Sequence, residues 1–529
     1  MFLKKSKGQQ VQVARRIAGR SAAGALLLFC LVSSLALVTE QLSYLCLLSE
    51  VDYGDSYILY DVLYFQHTGR IYRDLSQPPY LPALYSPLVY RLYSVPGRIG
   101  ASAKNLFVGP RLIALTTFLL CVGVEVSIVR TLIPARFAWL WGVLLAGSIS
   151  SMRIWVLQLR GDFPAIFFSM LAIRLLLVRS RWAVILAGVC AGFATQFKLT
   201  YVAALAAGSL WLLLRRQWKD LAGFAVAGAF SSAGLYLLFW VHERAMFAQM
   251  LAPSPGIVDV KGSITLVLVA LREPVVLIAL AGFPPIARRF SPRWGLVLLF
   301  ALTSFTIGGL TSLQAGANSN YFLESLLGST PLAVLGVFRL TVWAREHVWA
   351  ALFVAALFAI HFLPTSTREL HTILRSGIGP RSIESKNEAF QAMQNALQGR
   401  HIFSTVPRLA LLDPNPALME PFLLSYLQRL GKFDARPILD RVRSGEFDVL
   451  ITSAQPDGYR GVPCITRDLR GAIVASYAPH CVLLGSEIYL LGAEIYLPRY
   501  RPEDKTLVRN LEQIGCVPVP TIEPGAEPN

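Results

Sequence analysis

Long apolar stretches alternate along the chain with short polar breaks that are mostly basic. The first stretch, Ala22 to Thr39, follows Lys4, Lys5, Lys7, Arg15, Arg16 and Arg20. A secretory leader has the same layout. No small-x-small cleavage site follows, however, and many more apolar stretches do, which predicts an uncleaved first helix. Further stretches lie near 111–129, 136–151, 163–178, 183–197, 199–214, 221–241, 265–287, 294–312, 323–341 and 348–364. At about 20 residues per crossing they predict about 11 transmembrane helices. Arg272-Glu273-Pro274 interrupts the run 265–287, which predicts a surface helix followed by a short span.

Composition agrees. The 529 residues are 54% hydrophobic and 15% charged, where a soluble protein carries about 25% charged residues. Disordered, collagen, coiled-coil and disulfide-knot classes are excluded by the apolar content, the lack of a Gly period and the seven scattered Cys. The net charge of +17 suggests nucleic acid until its distribution is read. With the N-terminus in the cytoplasm, the inner turns hold Arg130 and Arg136, Arg179 and Arg181, Arg215, Arg216 and Lys219, Arg288, Arg289 and Arg293, and Arg339 and Arg345. This is the positive-inside pattern, and no nucleic-acid partner is expected.

An odd number of spans places everything after Leu363 outside. The fold class expected is therefore a polytopic α-helical membrane protein with a C-terminal extracytoplasmic α/β domain. Residues 1–365 form the transmembrane unit, whose outer loop 40–108 carries an acidic motif, and residues 366–529 form the outer soluble unit. In the latter, "HIFSTV" and "FDVLITS" read as buried strands, and "EAFQAMQNAL" and "MEPFLLSYLQRL" as amphipathic helices. "CVLLGSEIYLLGAEIYL" has Gly-spaced β-like runs.

Cys30, Cys46, Cys121 and Cys190 lie in or beside spans and read as small hydrophobes. In an oxidising compartment one pair among Cys464, Cys481 and Cys516 is expected to bridge, with Cys464–Cys481 the leading pair. C-x-x-C, H-E-x-x-H, Walker and G-x-G-x-x-G motifs do not occur, so zinc, ATP and NAD chemistry have no support.

Four polar clusters fall on the predicted outer face. "EVDYGDSYILYDV" brings Glu50, Asp52, Asp55 and Asp61 to the end of the first helix, among Tyr53, Tyr57 and Tyr60. A carboxylate partly desolvated there is a better proton acceptor; a plain helix cap is the alternative. "SMRIWVLQLRGDFPAIFF" carries Arg153, Arg160 and Asp162. Asp162, two residues before Pro164, also reads as a helix N-cap. "ATQFKLTY" puts Lys198 in a short outer turn, where basic residues are least expected. Arg153, Arg160 and Lys198 form a candidate phosphate clamp, two planar forks and a point charge. "GANSNYFLESL" adds Asn318, Asn320, Tyr321 and Glu324, pocket lining or helix caps. Acids for a base, cations for a phosphate leaving group and aromatics at headgroup depth suit a lipid-linked phosphosugar donor.

Four stretches resemble the GT-C membrane glycosyltransferases, in the bacterial branch similar to protein mannosyltransferases and the lipid A aminoarabinose transferase. They are "DYGDSYILYDVLYFQHTGRIYRDLSQPPYLPALYSPLVYRL", "LRGDFPAIFFSMLAIRLLL", "AGVCAGFATQFKLTYVAALAAGSLWLLLRR" and "GANSNYFLESL", within residues 20–365. The tail, with "FDARPILDRVRSGEFDVLI", resembles the outer domain of some bacterial members. The resemblance implies inverting transfer from a polyprenyl-phosphate sugar to a glycan, lipid or protein acceptor, in a bacterial inner (plasma) membrane. It puts the base at Asp55, with Asp52 second, although the family's adjacent Asp-Glu pair is missing here. Asp162 matches the second-loop acid, and Arg153, Arg160 and Lys198 match positions near the lipid phosphate. Tyr57, Tyr85, Asn320, Tyr321 and Glu324 are the implied pocket residues. In some relatives such acids hold a divalent metal, Mg or Mn, which Asp55 and Asp162 would ligate. A polyprenyl-lipid transporter or flippase, needing the cations but no base, and a non-catalytic membrane scaffold are the alternatives.

Overall fold

A computed structural model describes residues 2–51, 53–96, 105–178, 180–253, 256–280, 291–346, 380–405, 417–453, 466–483, 493–502, 504–514 and 516–519. Asp52, Cys464 and the apolar run 348–364 fall outside the described residues. The protein is a multi-pass helical membrane protein. Among the described residues, five helices are long and apolar enough to cross a bilayer: Ala23–Leu45 within α1 (Phe2–Leu45), α4 (Val108–Leu132), Trp218–His242, Pro292–Thr311 and Ser319–Trp343. A sixth is the pair Val260–Arg272 and Pro274–Leu280, bent by 68°. The bend falls at Glu273-Pro274, because a proline lacks the amide hydrogen and crowds the preceding turn. Asp259 caps this pair's start by accepting from the Gly262 amide at 2.8 Å.

About 11 spans were expected, and the difference is instructive. The runs 136–151, 163–178, 183–197 and 199–214 become α5 (Ala138–Gly147), α6 (Asp162–Leu176), α7 (Arg181–Thr195) and α8 (Ala203–Leu214), of 10, 15, 15 and 12 residues. At 1.5 Å per residue these reach roughly 15–22 Å, against about 30 Å of hydrocarbon. The turn Gln196–Val202, which carries Lys198, separates α7 from α8. The short helices pack on one another, α6 on α7 and α7 on Trp218–Ala229.

Two further helices lie between α1 and α4. Tyr53–Thr68 (α2) buries Ile58, Leu59 and Val62, and Pro87–Ser94 (α3) buries Val89, Tyr90 and Tyr93, with Pro87 preset for its first turn.

The C-terminal region holds a six-stranded mixed sheet of β1 (Ile402–Ser404), β2 (Ala417–Leu418), β3 (Val449–Ser453), β4 (Tyr477–Leu483), β5 (Ala493–Pro498) and β6 (Val517–Pro518), in the order β2-β1-β3-β5-β4-β6. The first three strands are parallel and the rest antiparallel. Successive side chains of a strand face opposite sides. Phe403 and Leu450 accordingly enter one core with Leu424, Ile438 and Ile473, while Ile402, Val449 and Ile451 enter the other with Leu397, Leu507 and Leu511. "HIFSTV" and "FDVLITS" supply β1 and β3, and the two amphipathic segments lie in helices Pro380–Leu397 and Pro421–Arg429.

The expected Cys464–Cys481 pairing is corrected. Cys481 bridges Cys516. Pairing of β4 with β6 sets Val482 beside Val517 and so brings the two thiols together, a long-range register that spacing along the chain does not reveal.

Candidate active site

Asp55 sits in the first turn of α2 and is fully buried. Its Oδ1 accepts from the Leu159 amide at 3.0 Å and its Oδ2 from the Val51 amide at 3.4 Å. The Leu159 bond clips the loop 148–161 onto the segment that leads from α1 into α2. Buried Arg111 fixes the approach to α2 by donating to the carbonyls of Tyr44, Leu47 and Ser49.

The second loop is anchored at both ends. Glu273, at the helix bend, accepts from the Ser150 amide (3.1 Å) and hydroxyl (2.8 Å) and from the Ser151 amide (2.9 Å) and hydroxyl. The Trp155 indole donates to Ser319 Oγ at 3.0 Å, and the Arg160 guanidinium stacks on the Trp155 ring at 4.8 Å. The Tyr93 hydroxyl donates to the Arg160 carbonyl at 2.8 Å. Gly161 then passes so close to the α7–α8 turn that a Cβ there would lie 2.4 Å from the Phe197 carbonyl oxygen.

That passage delivers Asp162 to Lys198. Asp162 is the first residue of α6 but does not cap it. Its Oδ1 instead takes the Lys198 ammonium at 2.8 Å and the Tyr201 hydroxyl at 2.7 Å, and Asn320 Nδ2 lies 3.3 Å from both carboxylate oxygens. Asn320 comes from a 3-10 turn, Ser319–Phe322, started by the Asn318 side chain accepting from the Ser319 amide at 2.7 Å. The Lys198 ammonium also lies 4.5 Å from the Tyr321 ring centroid. Burial pulls the Lys198 pKa down, but the Asp162 carboxylate outweighs it and leaves the group above the usual lysine range, hence charged. The Asp162 side chain is 2% exposed and that of Lys198 12%, so the pair is buried with the lysine the more accessible partner.

Tyr85 joins this group. Burial raises its phenol's pKa, Arg160 and Lys198 pull it back, and Asp162 and Tyr321 push it up again, so four polar groups surround one ring. Burial raises the Tyr93 phenol's pKa, and Asp55 and Asp162 raise it further, so both carboxylates lie within electrostatic reach of one residue.

Other candidates go elsewhere. Glu324 takes the Ser169 hydroxyl one layer below, within electrostatic reach of Tyr201. Arg153 turns to α1, with Nη2 3.4 Å from the Ser33 carbonyl and its own carbonyl accepting from Gln41 at 2.8 Å. Tyr57 points at the C-terminal sheet. Tyr201, Tyr93 and Arg111 were not singled out from sequence. Tyr201 had a signal, three residues after Lys198 in the same short turn; Tyr93 and Arg111 had none beyond their polarity.

The carboxylates do not form a metal cage. Asp162 is already engaged by an ammonium, a phenol and an amide, and Asp55 by two backbone N–H groups. Among the described residues no three His, Cys, Asp or Glu side chains gather. Hard cations need several free oxygens, so no step below passes through a metal.

Comparison with solved structures follows this geometry. ArnT from Cupriavidus metallidurans in the apo state superposes with a TM-score of 0.56 at 15% identity, over 90% of this chain and 98% of that one. The same protein bound to undecaprenyl phosphate gives 0.55 at 14% identity, over 89% and 99%. The chain shares the fold of ArnT. No family model and no curated protein sequence matches the chain. The likeness therefore rests on shape across about nine tenths of the chain.

Proposed function

We propose that the protein is an inverting glycosyltransferase that moves a sugar from a polyprenyl-phosphate donor to a glycan, lipid or protein acceptor on the outer face of a bacterial plasma membrane. The observation that carries this is the buried Lys198 ammonium paired with Asp162 beside the Tyr321 ring, with Arg160 and Tyr85 within electrostatic reach of the pair and Tyr93 within reach of both Asp162 and Asp55. Solution of ArnT, a protein of the same fold, with undecaprenyl phosphate supports the choice of donor. The Cys481–Cys516 bridge supports an oxidising location for the C-terminal region, in line with a cytoplasmic N-terminus. Residues 1–365 would then be the membrane unit and 366–529 the outer one.

In this reading the acceptor hydroxyl gives its proton to Asp55. Its oxygen attacks the anomeric carbon, and the bond from that carbon to the phosphate oxygen breaks. The lipid phosphate leaves with the electron pair, and its charge is met by Lys198 and Arg160. A lysine has three donors; Asp162 takes one and fixes the direction of the rest. Asp162 is thus a positioning residue, and we assign the clamp to Lys198 and Arg160, Arg153 being turned to α1. The test is transfer of label from a polyprenyl-phosphate sugar in membranes. Asp55→Asn should bind donor and transfer nothing, with Asp52→Asn as the comparison. Transfer at the wild-type rate by Asp55→Asn removes Asp55 from the base role.

A further inference from the structure

The C-terminal region grips the segment bearing Asp55 on both sides. Upstream, Asn387 of helix Pro380–Leu397 accepts from the Leu48 amide at 2.8 Å and donates to the Cys46 carbonyl at 3.2 Å. This is a two-bond pairing on the stretch between α1 and α2. Downstream, the buried Tyr57 directs its hydroxyl to the carbonyls of Thr405 (3.3 Å) and Met419 (3.2 Å). Tyr57 is two residues beyond Asp55 in the same helix.

Both acceptor carbonyls belong to the rigid edge of the sheet. The Thr405 amide donates to Ile451 at 2.9 Å, and the Met419 amide to Ser404 at 3.3 Å. Tyr80, from the same outer loop as Asp55, pairs with Met419 as a parallel bridge, and its ring is 1% exposed in the sheet's own core. A residue of the first loop is therefore part of the C-terminal core. The membrane side holds the same segment through Arg111 and the Leu159 amide. Asp55 is clamped between two bodies.

We propose that the C-terminal region is a working part of the catalytic apparatus, and that Tyr57 is a positioning residue that ties the aim of Asp55 to the sheet. The proposal rests on Asp55 being the base. A hydroxyl two residues along a helix from a carboxylate can rotate that carboxylate's turn without touching substrate. Misplacement of a base by a fraction of an ångström lowers turnover, while the donor, held by Lys198 and Arg160, still binds.

The experiment uses the full chain in lipid nanodiscs with a labelled polyprenyl-phosphate sugar. Tyr57→Phe keeps the ring and removes the hydroxyl. Turnover should fall about tenfold, with donor affinity within twofold of wild type and the melting temperature nearly unchanged. Asn387→Ser should act in the same direction from the other side, so the idea survives for test if Tyr57→Phe folds poorly. In an Asp55→Glu background, whose longer acid is already off its mark, Tyr57→Phe should cost less than threefold; this non-additivity marks action through Asp55. A turnover per folded molecule equal to wild type in both Tyr57→Phe and Asn387→Ser overturns the proposal, as does full additivity with Asp55→Glu. If Asp55→Asn itself transfers sugar normally, the transferase base assignment has failed instead, and the two failures are told apart.

Discussion

Lys198→Ala exposes the logic of the site through two separate quantities. The first is stability. Lys198 and Asp162 lie 2.8 Å apart with side chains 12% and 2% exposed, and removing one partner of a buried pair costs about 3–5 kcal/mol. Asp162 keeps the Tyr201 hydroxyl and Asn320 Nδ2, which offset roughly 1 kcal/mol each. The net loss expected is about 1–3 kcal/mol. The second is donor binding. A charge-assisted bond to phosphate contributes about 1.5–3 kcal/mol, so the donor dissociation constant should rise roughly 10- to 150-fold. Adding Asp162→Asn to Lys198→Ala should restore stability, because the stranded carboxylate is gone, but not donor binding. Thermal melting and titration with polyprenyl phosphate in nanodiscs read the two separately. Wild-type donor affinity in Lys198→Ala would refute the clamp, and a double variant less stable than Lys198→Ala would refute the buried-charge argument.

Gly161→Ala should be more damaging than its size suggests. Its Cβ would meet a backbone oxygen at 2.4 Å, which must shift and draw the Asp162 and Lys198 backbones apart; a loss of about 1–3 kcal/mol and weaker donor binding are expected, and a wild-type melt contradicts the close approach. Glu420 gives a pH dependence. Burial raises its carboxyl from 4.5 to about 7, with the Leu423 and Phe422 amides pulling the other way. The folded chain then keeps a proton that the unfolded chain releases, so stability of the C-terminal sheet falls as pH rises from about 4.5 to about 7 and levels off above. The span is at most about 3 kcal/mol. Denaturation of Glu420→Gln across that window should show the slope flattened; an unchanged slope assigns it to other groups.

What the sequence makes legible follows from local physics. Uninterrupted runs such as 111–129 and 294–312 become spanning helices because 20 apolar residues suffice for the pattern. "HIFSTV" and "FDVLITS" read as buried strands because both faces of the sheet are covered. The misreadings are long-range. Runs such as 163–178 and 199–214 give helices of 15 and 12 residues, and a hydropathy window does not report where a helix stops. The Cys481–Cys516 bridge depends on β4–β6 register. Asp162 reads as a cap from its neighbours alone, yet Lys198, 36 residues away, claims it. Tyr57 looks like pocket lining, and its partners lie 348 and 362 residues on. Arg153 and Arg160 look alike in a string, but the loop's 3-10 turn points one at α1 and stacks the other on Trp155.

The account stands most directly on sugar transfer by the Asp55→Asn variant. In membranes supplied with a labelled polyprenyl-phosphate sugar, wild-type protein should move label into an acceptor that organic solvent does not extract. Asp55→Asn, folded and binding donor normally, should leave the label on the lipid. Equal transfer by the two proteins, or no transfer by wild type with any polyprenyl-phosphate sugar, would contradict it.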